Sequence, residues 1–378
     1  MNADLTPDSP LLDHCPEGLP ARAYYDADWH ARESAAIWAR QWVYAGRHDQ
    51  QPENTLRRIE VAGQSILLLR DADGALRAFH NTCRHRGAAL CQAEQESFNG
   101  KLIKCPYHAW AYDTAGRLVS TGYATPTADF ERAAHGLFPV HLKQWNGFVY
   151  ICLADAPPEF APDMGLDVLD NWPMEDLAVG HVLEKHMACN WKVFWENYNE
   201  CLHCPGVHPE LSDLVPVYRQ GIMSAEERAR VAAGGGAQPA LKSGARSWTQ
   251  TGAPCGPEFS NLTEEERERG HTFVTLYPTM YIVAHVDYVR TVSLTPLGPE
   301  QTRLRAEWLF PPATLARADF DLEAVTGFAT TVLMQDSAAC EINQRGLRCM
   351  KFQAARLMPQ EFAIHDFHNW VSARMAEV

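Results

Sequence analysis

Two short stretches decide how this chain is read: Phe79-His80-Asn81-Thr82-Cys83-Arg84-His85-Arg86-Gly87-Ala88 and Cys105-Pro106-Tyr107-His108-Ala109-Trp110. Together they offer two cysteines and two histidines as C-x-H and C-x-x-H, with 19 residues between His85 and Cys105. Each pair falls at the tip of an expected β-turn, so two loops can close on one object. Two thiolates and two imidazoles can hold tetrahedral zinc. They can equally hold a 2Fe–2S cluster, with two cysteines on one iron and two histidines on the other. C-x-H is not the usual zinc half-site, which is a C-x-C pair of wider spacing. Arg86-Gly87 and Pro106-Tyr107 also surround the pairs with backbone N–H groups and a Tyr hydroxyl that can hydrogen-bond cluster sulfurs. The pattern therefore favours a cluster on Cys83, His85, Cys105 and His108. Buried cysteines and core histidines would account for each residue singly, but not for all four together.

Outward from this pair the chain reads as short β-rich runs divided by turn signals. Strands are expected over residues 55–61, 65–70, 75–82, 101–104, 108–113 and 147–153, with turns at Asp73-Gly74 and Gly116. This is an all-β domain over residues 45–155. Before it, Ala31, Ala35, Trp38 and Trp42 recur at helical spacing and predict a helix over 26–42, within an N-terminal segment (1–44) that packs on the last domain. After Pro157, Pro158 and Pro162 comes a third part, 156–378. It should hold a strand over 181–188 and a helix from 191 that Pro205-Gly206 ends near 204. A surface loop over 221–256, with a short helix near 225–233, leads to strands over 271–276, 280–286, 289–294 and 302–310. A long helix over 318–349 follows. Strands followed by a long helix predict an α+β layer.

At 378 residues the chain has room for two to three domains of roughly 150 residues each. The net charge of −14 argues against a nucleic-acid or anionic-membrane partner and is compatible with a cationic substrate. No apolar run approaches the ~18 residues of a membrane span. The first residues lack the basic and apolar regions of a signal peptide. Eleven cysteines, an odd number on such a chain, point to a reducing cytoplasm with some cysteines as metal ligands.

The second constellation is Glu196-Asn197-Tyr198-Asn199-Glu200-Cys201-Leu202-His203-Cys204-Pro205-Gly206-Val207-His208. Glu200 and His203 are three residues apart and would share a helical face. A break at Pro205-Gly206 lets His208 return to the same point. Two histidines need one carboxylate to form the facial triad of non-haem Fe(II), which leaves coordination positions open for oxygen. Glu200 is one candidate. Asp336, in Met334-Gln335-Asp336-Ser337-Ala338-Ala339-Cys340, is the better one, because small residues there allow close helix approach. Cys201 and Cys204 read as small core residues.

Taken together these motifs resemble the catalytic α subunit of Rieske-type non-haem iron oxygenases, over nearly the whole chain. The resemblance implies an all-β Rieske domain inserted before a helix-grip catalytic domain, an antiparallel sheet with a long C-terminal helix. By position, His203, His208 and Asp336 correspond to the family's iron ligands. Glu200 corresponds to the acidic residue that bridges the two metal centres across a subunit boundary, where ring-hydroxylating members usually carry Asp. That Glu, the Glu-Cys-x-His-Cys run and Gln344-Arg345-Gly346-Leu347 are more similar to the branch acting on quaternary ammonium compounds such as carnitine, glycine betaine and proline betaine. Leu202 stands where that branch often carries an aromatic residue.

The implied chemistry uses O2 at Fe(II) with electrons relayed from the 2Fe–2S cluster, and ends in attack on a C–H bond. On an N-methyl group the product collapses to formaldehyde and the demethylated amine. The sequence holds no G-x-G-x-x-G motif and no second cluster motif. Electrons then come from a separate reductase of flavin and ferredoxin type using NAD(P)H. A cationic head group would be held by aromatic faces, with Tyr198, Trp248, Tyr277 and Tyr281 as candidates. The resemblance further implies a homotrimer. Two other functions stay open: an oxygenase for an aromatic acid or another small molecule, and a non-catalytic electron carrier or zinc module.

Overall fold

The computed structural model describes residues 11–98, 101–160, 164–220 and 241–377. The expected short helix near 225–233 lies outside them. The chain divides into two compact units, residues 38–160 and residues 1–37 together with 161–378.

The second of these begins with strand β1 (Glu17–Pro20) and helix α1 (Ala27–Glu33). The Asp26 side chain caps α1 by accepting from the Trp29 N–H at 2.9 Å. The predicted continuous helix over 26–42 is shorter: α1 passes into one π turn over Ser34–Trp38 and stops.

The 38–160 unit is all β, from β2 (Val43–Arg47), β3 (Thr55–Val61), β4 (Gln64–Arg70), β5 (Leu76–His80) and β6 (Gln95–Ser97) through β10 (Pro139–Trp145) and β11 (Phe148–Cys152). These seven form one antiparallel sheet in the order β2-β11-β10-β5-β4-β3-β6. Residues 66–69, Ile-Leu-Leu-Leu, are buried on both faces, which is why β4 reads as a continuous apolar run rather than an alternating one. A second sheet joins β7 (Leu102–Lys104), β8 (Ala111–Asp113) and β9 (Leu118–Ser120). One core spans both sheets, with Leu67, Leu69, Phe79, Ile103, Trp110 and Tyr112 packed around Cys83 and Cys105.

The remaining unit is built on β12 (Ala178–Met187), β13 (His271–Leu276), β14 (Met280–His285), β15 (Val289–Gly298) and β16 (Gln301–Phe310), antiparallel in the order β12-β16-β15-β14-β13. Between β12 and β13 lie α2 (Trp191–Tyr198), α3 (Cys204–Val207), α4 (Pro209–Leu214) and α5 (Glu264–Arg269). After β16 come α6 (Pro312–Leu315) and the 26-residue α7 (Leu322–Leu347). The expected α+β arrangement of sheet and long helix is present. The long helix is not the last element, because β17 (Ala354–Arg356) and α8 (Phe362–Met375) follow it. β17 pairs with β1, tying the first described residues to the last. Lys192 and Glu33, both without solvent exposure, form a 2.6 Å ion pair that fastens α2 to α1.

Candidate functional site

The two loops that carry the cysteine–histidine pairs are copies of one another in backbone geometry. The Cys83 N–H donates to the Ala88 carbonyl and the Gly87 N–H to the Cys83 carbonyl, at 2.8 and 2.9 Å. Cys105 donates to the Trp110 carbonyl and Ala109 to the Cys105 carbonyl, at 2.7 and 3.1 Å. The residue four places after each cysteine is left-handed, with φ +78° at Gly87 and +60° at Ala109. Such a turn needs little or no side chain there. A Cβ on Gly122 would lie 2.3 Å from the His108 carbonyl, so only glycine lets that segment close on the second loop.

Cys83 and Cys105 are buried, and the His85 and His108 rings stand 4.8 Å apart. Trp110 stacks on His85 at 4.8 Å. Among the described residues, one set of His, Cys, Asp or Glu brings at least three ligand atoms within 4.8 Å of one another, and it is not this one. Two buried cysteines and two facing imidazoles fit a cluster with the cysteines on one iron and the histidines on the other. Burial holds the Cys83 thiol above its ordinary value, opposed by a hydrogen bond from Tyr112. Desolvation, helped by the nearby His85 and Arg86, holds His108 below its ordinary value and so in the neutral form a ligand needs.

The hydroxyl beside the cluster site is not that of Tyr107. Tyr107 is 59% exposed and packs against His108 and Arg86. Tyr112, in β8, lies 3.2 Å from the Cys83 sulfur and accepts from the Arg84 N–H at 3.0 Å. A Cys83 thiolate, the form a cluster ligand takes, can only accept, so toward it the Tyr112 hydroxyl is the donor.

The set with converging ligand atoms is His203, His208 and Asp336. The local structure around it differs from the expected helix. α2 ends at Tyr198, and Pro205 occupies the first turn of α3 instead of terminating a longer helix. Glu200 and His203 therefore meet across a turn and not along a helical face. One Glu200 oxygen accepts from the Leu202 and His203 backbone N–H groups, and the other lies 2.5 Å from His203 Nδ1. Cys201 and Cys204, expected as separate core thiols, are joined by a disulfide that brackets His203.

Each histidine is held from outside and turned inward. His203 Nε2 lies 3.4 Å and His208 Nε2 2.8 Å from the same oxygen of Asp336. Their outer nitrogens face acceptors: Glu200 for His203, and Gln335 Oε1 at 2.7 Å for His208. An acceptor on Nδ1 fixes the proton there and leaves the Nε2 lone pair for a metal. Burial pushes the Asp336 carboxyl up, but hydrogen bonds from both histidines outweigh it and hold it below its ordinary value. Burial likewise opposes a charge on His203, yet Asp336 and Glu200 lift it to about 9. Metal binding at this site would release that proton. The donor set of two imidazoles and one carboxylate fits Fe(II), which these three residues would hold.

Of the aromatic candidates, Tyr198 and Tyr281 stack with centroids 4.2 Å apart, both buried. Trp248 belongs to a different group, with His271, Phe273, His285 and Phe328. Tyr277 donates to Asn199 at 2.8 Å and packs on Trp195, Phe367 and Trp370, so it supports the end of α2. Sequence reasoning missed Gln335 and Tyr112. Gln335 adjoins Asp336 in the chain, which was the available signal. Nothing in sequence distinguished Tyr112 from Tyr107.

Residues 174–377 match the family model for the ring-hydroxylating α subunit catalytic domain, and residues 41–131 match that for the Rieske [2Fe-2S] domain. The chain belongs to the Rieske oxygenase α subunits. Like the rest of that family, this oxygenase is an oxidoreductase that uses a Rieske 2Fe–2S cluster and mononuclear non-haem iron, and works with a separate reductase on a small molecule. It is 29% identical to the glycine betaine monooxygenase oxygenase subunit of Chromohalobacter salexigens, over 94% of this chain and 85% of that one. It is 35% identical to the carnitine monooxygenase oxygenase subunit of Escherichia coli K12, over 53% of this chain and 54% of that one. A solved quaternary ammonium Rieske monooxygenase shares the oxygenase's fold with a TM-score of 0.71 at 19% identity, covering 99% of this chain and 98% of the other. No helix among the described residues is long and apolar enough to cross a membrane.

Proposed function

We propose that this oxygenase hydroxylates, and thereby N-demethylates, a small quaternary ammonium or betaine substrate. The observation that carries the reading is the inward-turned set of His203, His208 and Asp336 on the same unit as the stacked Tyr198–Tyr281 pair. The resemblance to glycine betaine and carnitine oxygenase subunits supports the substrate class.

In this reading Cys83, His85, Cys105 and His108 hold the cluster, while His203, His208 and Asp336 hold Fe(II). When bound, the two centres supply electrons and the O2 chemistry that oxidises a C–H bond. The chain's own residues provide the geometry. Glu200 and Gln335 keep both imidazoles in the tautomer that faces inward. Tyr198 and Tyr281 supply the π faces in this reading for a cationic head. Tyr112 directs its proton at the Cys83 sulfur, which raises the potential of a cluster held there. An N-hydroxymethyl product then loses formaldehyde without further help from the protein.

We further propose a head-to-tail homotrimer in which Glu200 couples the iron site to a neighbour's cluster. The proposed reductase is of flavin and ferredoxin type and uses NAD(P)H, and the proposed location of the pair is the cytoplasm. The test is reconstitution with a surrogate reductase. Substrate-dependent O2 uptake should match formaldehyde release on N-methylated betaines. Turnover confined to aromatic acids would replace this reading.

A further inference from the structure

One face of the catalytic sheet carries buried polar groups that the iron chemistry does not use. His271 pairs with His285, Val283 with Arg290, and Arg290 with Trp308. By strand alternation His271, His285, Arg290 and Trp308 therefore share one face with Tyr281. Trp248 covers this face, with its ring centroid 5.2 Å from His271 and 5.8 Å from His285.

Arg290 is only 4% exposed. Its Nε has no hydrogen-bond partner, and among the described residues the guanidinium forms no ion pair. Both ring nitrogens of His271 and of His285 also lack partners, as does the Trp248 indole N–H. A buried guanidinium without a counter-charge is costly, because nothing repays its desolvation. Unsatisfied groups clustered in this way call for a ligand that completes them. Burial, with Arg269 and Arg290 adding to it, depresses His271 to about 3. Burial and Arg290 hold His285 well below its ordinary value. Both imidazoles are therefore neutral, and Arg290 is the cation of the group. Burial raises the Tyr281 hydroxyl, Arg290 opposes that and Asp336 adds to it, so both the guanidinium and the candidate iron carboxylate lie near enough to act on Tyr281, which shares this sheet face.

We propose that Arg290, with His271, His285 and Trp248 around it, seats a substrate carboxylate, so that the substrate is a zwitterion with an N-methylated ammonium directed toward His203, His208 and Asp336. This rests on the quaternary ammonium reading and narrows it. A guanidinium fork matches a carboxylate with two parallel hydrogen bonds. An uncompensated Arg290 also repels a cation that lacks a carboxylate, so the site discriminates against an amino alcohol such as choline.

The test uses the iron-loaded holoenzyme with four probes: glycine betaine, γ-butyrobetaine, choline and 4-methoxybenzoate. Binding is measured by calorimetry, and KM and kcat are obtained with a surrogate reductase. Wild type should bind at least one betaine much more tightly than choline. Arg290→Gln should weaken that betaine by about a hundredfold, the scale of a lost charge-assisted pair, with the loss falling on KM more than on kcat. The same variant should narrow or invert the preference over choline, and Arg290→Lys should recover part of the loss. Iron and cluster content, together with the melting temperature, report whether each variant is folded. If Arg290→Gln does not fold, the wild-type preference and the Arg290→Lys affinities decide. Equal losses for betaine and choline, unchanged betaine affinity, or no probe with a carboxylate bound above choline would overturn the proposal. Arg290-dependent binding of 4-methoxybenzoate alone would uphold the carboxylate seat and overturn the ammonium reading instead.

Discussion

Gln335 provides the sharpest test of how the candidate iron site is held. Its Oε1 lies 2.7 Å from His208 Nδ1, and its amide N–H donates to Glu210 at 3.1 Å. Glu210 thus fixes which end of the amide faces the histidine, and that hydrogen bond holds the Glu210 carboxyl below its ordinary value. His208 is 1% exposed, so no water can replace a lost acceptor. Gln335→Leu removes the acceptor while keeping a similar volume. A buried donor left without a partner costs about 1–3 kcal/mol. If that cost falls on the metal-bound geometry, Fe(II) affinity drops by about 10- to 100-fold. Competition with a chromophoric Fe(II) chelator measures the change, and the visible absorbance of the 2Fe–2S cluster serves as an internal reference for folding. Glu210→Ala acts mainly through Gln335, to which it is hydrogen-bonded, and should cost much less. Combined with Gln335→Leu it should add nothing, because neighbours in one hydrogen-bond chain are not additive. Wild-type iron affinity in a folded Gln335→Leu variant, or full additivity with Glu210→Ala, would refute the reasoning.

Other outcomes are expected as follows. Tyr112→Phe should lower the cluster potential by roughly 50 mV, the one-electron equivalent of about 1 kcal/mol, as read by redox titration. Glu200→Gln should keep both metals yet slow electron arrival at the iron in stopped-flow cluster reoxidation, whereas Asp336→Ala should lose the mononuclear iron and keep the cluster spectrum. Hetero-oligomers of Cys83→Ser with His203→Ala should regain some turnover if electrons cross between subunits, and none if they do not. His271 is neutral in the folded protein down to about pH 3, whereas the unfolded chain takes up its proton near pH 6.5. The unfolded state therefore binds more protons between those limits, and stability falls as pH drops from about 6.5 toward 3. His271→Phe should remove about 2 kcal/mol of that loss at pH 5 in denaturant titrations of the substrate-free enzyme.

What the sequence determined by itself were features with short-range causes. The cluster loops need two cysteines, two histidines and a residue tolerant of left-handed backbone, all within a few positions, and that pattern is written in order along the chain. The long helix, the strands of the five-stranded sheet and β3, β4, β5, β7, β8 and β11 were legible for the same reason, since their apolar patterning is local, whereas β2, β6, β9 and β10 were not read. Asp336 was legible only in combination with the histidines. Tertiary structure alone decided what depends on contacts between distant segments. His208 meets Gln335 across 127 positions, and Cys83 meets Tyr112 across 29. Tyr107 and Tyr112 look equally suitable in sequence, and only the register of β7 with β8 carries one inward and leaves the other in solvent. Arg290 lies in a run, Val289 to Val292, that reads as ordinary strand, because alternation cannot say that both faces are buried and that one of them lacks a counter-charge. The helix break after Tyr198 was misread because Pro205 serves equally to end one helix and to begin the next. Only the surrounding packing selects between the two.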